Sequence, residues 1–287
     1  MRSLPGLRCL LTASLVLASG LPAWSADARA PGAIAFDRTL DGSGRIHVIG
    51  PDGRGDRALT PEPGSEAPVW SPDGSQIAWT ADRAGSFEIW VMRRDGSRAH
   101  RLTRGPGDSH PAWSPDGRDI AFFRAPAGSL EVVSADGKRQ RSVGRGRAFD
   151  VSAAPAWSPD GRWLAIAGVD GALYMVAADG HAIRRLTPRR PATIAWRPSW
   201  SPRGGRVAFL NLAGGALDVV EAGNDRVRVF ARQTDELSAP AWSADGRLLA
   251  FADGAAHLET IASDGASRRV LTHGVSSDAN PAWRPSA

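Results

Sequence analysis

From about residue 31 onward the chain is a succession of short apolar runs, none longer than a strand, separated by turn signals. Ala33-Ile34-Ala35-Phe36, Arg45-Ile46-His47-Val48-Ile49, Ile89-Trp90-Val91-Met92, Ile120-Ala121-Phe122-Phe123 and Leu130-Glu131-Val132-Val133 are such runs, and Gly, Pro and Asp stand between them. Runs of this length, rich in β-branched and aromatic residues, predict strands and not helices.

The runs are in phase with a repeated phrase. Pro111-Ala112-Trp113-Ser114-Pro115-Asp116-Gly117 recurs from Pro68, Pro155, Pro198 and Pro240, and in shortened form from Pro281, at spacings of 41 to 44 residues. In the unit from Pro111 to Ala154, Pro111 to Ser114 is expected to be extended, because a residue before proline avoids the helical region and Trp suits a buried pleated surface. Ser114-Pro115-Asp116-Gly117 reads as a type I turn. A strand over Ile120–Phe123, a hairpin at Ala125-Pro126-Ala127-Gly128, a strand over Leu130–Val133, a second turn at Ala135-Asp136-Gly137 and a polar strand from Gln140 to Val143 complete it. The second turn also recurs, at Pro51-Asp52-Gly53, Arg94-Asp95-Gly96, Ala178-Asp179-Gly180 and Ser263-Asp264-Gly265.

Four short strands in a unit of this period predict a propeller blade. The N-terminal stretch supplies three strands without a Trp-bearing first one, and Pro281-Ala282-Trp283 supplies that missing strand. The expected fold is all-β: a six-bladed β-propeller of four-stranded blades, closed by pairing of the N- and C-terminal strands over residues 31–287. Trp70, Trp113, Trp157, Trp200, Trp242 and Trp283 occupy one repeat position and are expected to be structural anchors.

Residues 1–26 stand apart. Arg2 and Arg8, the apolar run from Cys9 to Ala18 and small residues up to Ala26 read as a secretory signal peptide. Cys9 is the only cysteine, so disulfides and thiolate metal sites are not expected after cleavage. No later segment reads as a membrane span, and the exported chain is expected to be periplasmic and monomeric.

The phrase PAWSPDG, followed by IAF-type, IWVM-type and RLT-type strands (Arg101-Leu102-Thr103, Arg185-Leu186-Thr187), resembles the WD40-like repeats of the TolB family. The resemblance implies a periplasmic propeller related to the Tol-Pal envelope system, in which TolB binds a peptidoglycan-associated lipoprotein through its propeller. An α/β domain precedes the propeller in TolB; none is expected here, where the repeats use all the sequence from about Pro31.

Candidate chemistry is sparse. There is no Gly-x-Ser-x-Gly elbow of the peptidases that carry similar propellers, and no His-x-x-x-His or His-Glu-x-x-His pair. Polar residues do precede the first strand of five blades: Ser65 and Glu66, Asp108 and His110, Asp150, Asp235, Asp278. Six such loops converging on one mouth could bind a basic part of a partner, so Glu66, Asp108, His110, Asp150, Asp235 and Asp278 are the candidate partner-binding residues; the alternative ligand is a divalent cation such as calcium.

The net charge is +5, carried mainly by arginines. Lys138, Arg139, Arg141, Arg145 and Arg147, then Arg184, Arg185, Arg189 and Arg190, then Arg226 and Arg228 are expected on outer strands, either facing an anionic envelope surface or protecting sheet edges. Aromatic interleaving of the kind that binds nucleic acid is absent. The sequence thus predicts a non-catalytic scaffold for an envelope protein or lipoprotein, with no cofactor. The alternative reading is a metal-dependent or carbohydrate-active enzyme with its site at the channel.

Overall fold

The computed structural model describes residues 34–40, 43–49, 57–83, 85–144, 149–150, 153–188, 194–223, 226–232, 240–243, 245–252 and 258–270. The signal-peptide segment 1–26 and the closing phrase Pro281–Trp283 lie outside them, as do Arg145, Arg147, Arg189, Arg190, Asp235 and Asp278. The described chain is all-β, with no helix and hence none long and apolar enough to cross a membrane.

Six antiparallel sheets follow one another along the chain. The first has three strands, Ile34–Leu40, Ser43–Ile49 and Arg57–Ala58, and each of the other five has four. The third sheet shows the plan: Asp108–Trp113, Asp119–Arg124, Ser129–Ser134 and Gln140–Val143, each antiparallel to the next. The first strands of the second to sixth sheets touch one another in succession, so they are gathered together and the fourth strands face outward.

The core lies between sheets. Five buried clusters fill the five contacts between consecutive sheets, and the repeat Trp belongs in every case to the later sheet of the pair. Trp113, for example, packs with Ile89 and Val91 of the sheet before it and Phe122 of its own. Trp157 Nε1 donates to Ala112 O at 3.0 Å and Trp242 Nε1 to Ser199 O at 3.1 Å, tying first strand to first strand.

The turns are held by their own side chains. Ser114 Oγ donates to Asp116 Oδ1 at 2.6 Å and accepts from Asp119 N at 2.9 Å, while Gly117 at φ +69° closes the turn on Ser114 O. A side chain at Gly117 would be strained in that left-handed region. Ser71 with Asp73, Ser158 with Asp160 and Ser243 with Asp245 repeat the arrangement, and so does Ser134 with Asp136 at a second turn. In the fifth sheet Arg203 replaces the aspartate, and its Nε reaches Asp245 O of the next turn instead.

The Leu-Thr phrase ends fourth strands. Thr60, Thr103 and Thr187 hydroxyls accept from Ile46 N, Ile89 N and Leu173 N at 2.9 to 3.1 Å, replacing the ladder bond that a longer strand would make.

Several outer arginines join sheets. Arg57, His100, Arg141, Arg184, Arg228 and Arg269 occupy the same register position on the six fourth strands, opposite Val48, Val91, Val132, Met175, Val219 and Thr260. Arg57 donates to Asp95 O, Arg141 to Ala178 O and Arg184 to Ala222 O and Gly223 O, at 3.0 to 3.3 Å, each on the second turn of the following sheet. Arg141 also pairs with Asp119 at 3.0 Å. Arg57, Arg141 and Arg184 are thus engaged within the protein rather than free for an anionic surface.

Candidate partner-binding mouth

Because strands alternate in direction, the loops that enter the first strands and the hairpins between second and third strands share one end, the mouth. The Ser-Pro-Asp-Gly and second turns share the other. Backbone bonds stitch the mouth together: Asp82 N to Gly64 O, Ala125 N to Gly107 O and Leu212 N to Ile194 O within sheets, and Phe149 N to Gly128 O and Ala195 N to Gly171 O between them.

The acids expected to face a partner fare differently. Asp108 is fully buried, with Oδ1 2.6 Å from Arg124 Nε, Oδ2 2.9 Å from Arg124 Nη2, and Gly105 N donating to Oδ2 at 3.2 Å. A Cβ at Gly105 would collide with that guanidinium, which would have to shift from its place beside Asp108 to admit it. Asp108 is spent inside its own sheet and does not face a partner. Glu66 is exposed and Asp150 half-buried, each with contacts of its own.

His110 sits on a β-bulge. The register of the first strand slips between Ser109 and Ala112, and His110 has φ +55°; Ala67 and Arg197 do the same at φ 51° and 48° in the second and fifth sheets. The residue before the proline is therefore left-handed here, not extended as the sequence rule implies. The slip turns the chain from the mouth loop into the sheet, and His110 N gains Thr80 Oγ1 of the preceding sheet at 3.1 Å. The His110 ring is half-buried, and its Nδ1 is buried without a partner among the described residues. Burial holds its pKa below the usual histidine value, against an opposing pull from Asp150.

The mouth also exposes aliphatic side chains. Val169, Ile194 and Leu212 are 70%, 50% and 53% exposed on the fourth and fifth sheets, and the bonds from Ala195 to Gly171 and from Leu212 to Ile194 hold their loops side by side. Arg197 covers the Trp196 ring at 4.2 Å nearby. Among the described residues no group of three His, Cys, Asp or Glu is placed to hold a metal.

The opposite end carries the turn serines and aspartates, with cations beside them: Arg118, Lys138 and Arg247 pair with Asp116, Asp136 and Asp245. Two shallow clefts open between neighbouring turns, one of about 430 Å³ between Ser158-Pro159-Asp160 and Pro202-Arg203, the other of about 360 Å³ between Ser71-Pro72-Asp73 and Pro115-Asp116. The Ser114 hydroxyl, and then Arg118 N, hold the Asp116 carboxyl below its ordinary 3.8. A depressed folded-state pKa adds stability that is present above the unfolded value and lost as pH falls through the folded one. Ser114→Ala is expected to lower stability near neutral pH by about 1 kcal/mol. The gap from the unsubstituted protein should narrow as pH falls through the lowered pKa of Asp116, where the carboxyl protonates in both states. Urea unfolding against pH checks this; a gap that widens in acid contradicts it.

The sequence matches the TolB beta propeller domain family over residues 11–148 and 111–287. The chain belongs to that family. No curated protein matches it in sequence. Among solved structures similar to this TolB-family chain is TolB from Acinetobacter baumannii, at 19% identity and TM-score 0.65, covering 89% of this chain and 67% of that one. An oligogalacturonate lyase in complex with manganese aligns at 14% identity and TM-score 0.62, over 84% and 73% of the two chains. A nidogen/laminin complex gives 13% and 0.62, over 82% and 91%. At these identities the likenesses establish the fold alone, and a fold does not fix a function.

Proposed function

We propose that this TolB-family chain is an exported, periplasmic, non-catalytic scaffold that binds an envelope protein or lipoprotein at its mouth. The observation that carries the reading is the contrast within the mouth: Asp108 is neutralised by Arg124, while Val169, Ile194 and Leu212 stand exposed on loops bonded to one another. Exposed aliphatic groups on loops bonded to one another suit protein docking, since their burial releases water without an unpaired charge. The partner contacts are thus expected from these three residues together with Glu66, His110 and Asp150. The fold likeness to TolB and to the nidogen/laminin complex is consistent with a binding role.

In this reading residues 1–26 are a cleaved signal peptide, and residues 31–287 form six blades, the first completed by Pro281–Trp283. The chain acts as a monomer without a cofactor. The test is retention of an envelope protein from detergent extract by the immobilised protein and by Val169→Glu/Leu212→Glu. One protein held by the former and lost at least about tenfold by the latter, with no stoichiometric metal in the sample, is the expected result. Equal retention, or a bound metal in place of a partner, turns attention to an enzyme site at the channel.

A further inference from the structure

The fifth sheet ends differently from its sisters. Its fourth strand, Val227–Arg232, has six residues, whereas the other fourth strands have two to four. The reason is in the sequence. Where the first, second and fourth sheets carry the threonine that takes over a third-strand N–H, the fifth carries Ala231, and after a register slip that leaves Phe230 unpaired the ladder resumes through Leu217 with Ala231 and Ala216 with Arg232. Among the described residues nothing pairs with the outer edge of this strand.

The side chains on that edge are also released. Arg228 occupies the register position from which Arg57, Arg141 and Arg184 reach the next sheet, yet it makes no such bond among the described residues and is exposed. Arg206, on the second strand of the same sheet, reaches Ser263 O of the sixth sheet instead. Next to Arg228, Val229 is 47% exposed, while Phe230 turns inward against the sixth-sheet core. An edge of free N–H and C=O groups, a cation and an exposed β-branched side chain is a template for a further strand.

We infer that Val227–Arg232 is a docking edge for an extended, acidic segment of another protein, which adds to the fifth sheet as an outer strand with a carboxylate opposite Arg228 and an aliphatic residue beside Val229. Charge selects this occupant over a second copy of the chain. Two such edges brought together would set Arg228 near its own counterpart, and like charges across a strand pair destabilise it. The surface is separate from the mouth, so the inference stands whether or not the mouth binds a partner.

The probe is a fluorescein-labelled peptide of alternating Glu and Val, with alternating Lys and Val as its counterpart, titrated against the full chain by anisotropy. Binding of the Glu peptide in preference to the Lys peptide is expected, weakened about tenfold by Arg228→Glu and less than about twofold by Arg139→Glu, an exposed arginine on the third sheet. Hydrogen exchange should show new protection at amides of Val227–Arg232 when the Glu peptide is added, a change that general attraction to a basic protein would not give. Equal weakening by both substitutions, binding without that protection, absence of binding at millimolar peptide, or a self-associated dimer broken by Arg228→Glu would each overturn the inference.

Discussion

Arg124→Met is expected to destabilise the protein by about 3 to 5 kcal/mol, the loss that follows when one partner of a buried ion pair is removed and the other charge stays behind. Asp108 is fully buried and its two oxygens are held by Arg124 through separate guanidinium nitrogens. Without the cation, Gly105 N is the one other donor to that carboxylate among the described residues. The double substitution Asp108→Leu/Arg124→Met removes both charges, so it should recover most of the loss, because apolar replacement of a whole buried pair is close to neutral. Urea unfolding of the three proteins decides the matter. A loss below about 1 kcal/mol for Arg124→Met would return Asp108 to the solvent-facing role that its position before a first strand suggests.

Trp113→Ala should cost a similar amount, about 3 to 5 kcal/mol, since Trp113 is 8% exposed within the cluster between the second and third sheets and leaves a cavity there. Trp283→Ala is the informative companion. Every described repeat Trp lies between its own sheet and the one before, so Trp283 in a closed six-bladed ring fills the contact between the sixth and first sheets. Closure therefore implies nearly equal losses for Trp113→Ala and Trp283→Ala in thermal or urea unfolding. A Trp283→Ala protein as stable as the unsubstituted one would mean that the two ends do not complete a blade.

The strands and their phase were legible in the chain because the signals are local. Trp113 and Gly117 lie within one turn phrase, and the period follows from repeating it. What the sequence hid was set by register and by contacts across sheets. Asp108 reads as a loop acid until the third sheet places Arg124 opposite it, 16 residues away. His110 precedes a proline, yet a bulge puts it in the left-handed region. Arg141 and Arg184 look like a cationic surface, although their partners are carbonyls 37 to 39 residues on, in the next sheet. Val169, Ile194 and Leu212 carry no pattern at all, being single aliphatic residues in three different loops. Only the fold brings those loops to one end. The exceptional outer strand of the fifth sheet had a visible trace, Ala231 in place of the Thr of the phrase, which acquires meaning once Thr60, Thr103 and Thr187 are seen ending their strands.

Photo-crosslinking from single positions tests the mouth as the partner-binding surface most directly. A benzoylphenylalanine at Leu212 on the mouth, and another at Asp116 on the opposite end, would be activated in the intact envelope and the products resolved by mass. One envelope protein joined through position 212 and absent from position 116 is the outcome that the exposed aliphatic loops imply. The same products from both positions, or a defined partner from position 116 alone, would place recognition elsewhere and contradict it.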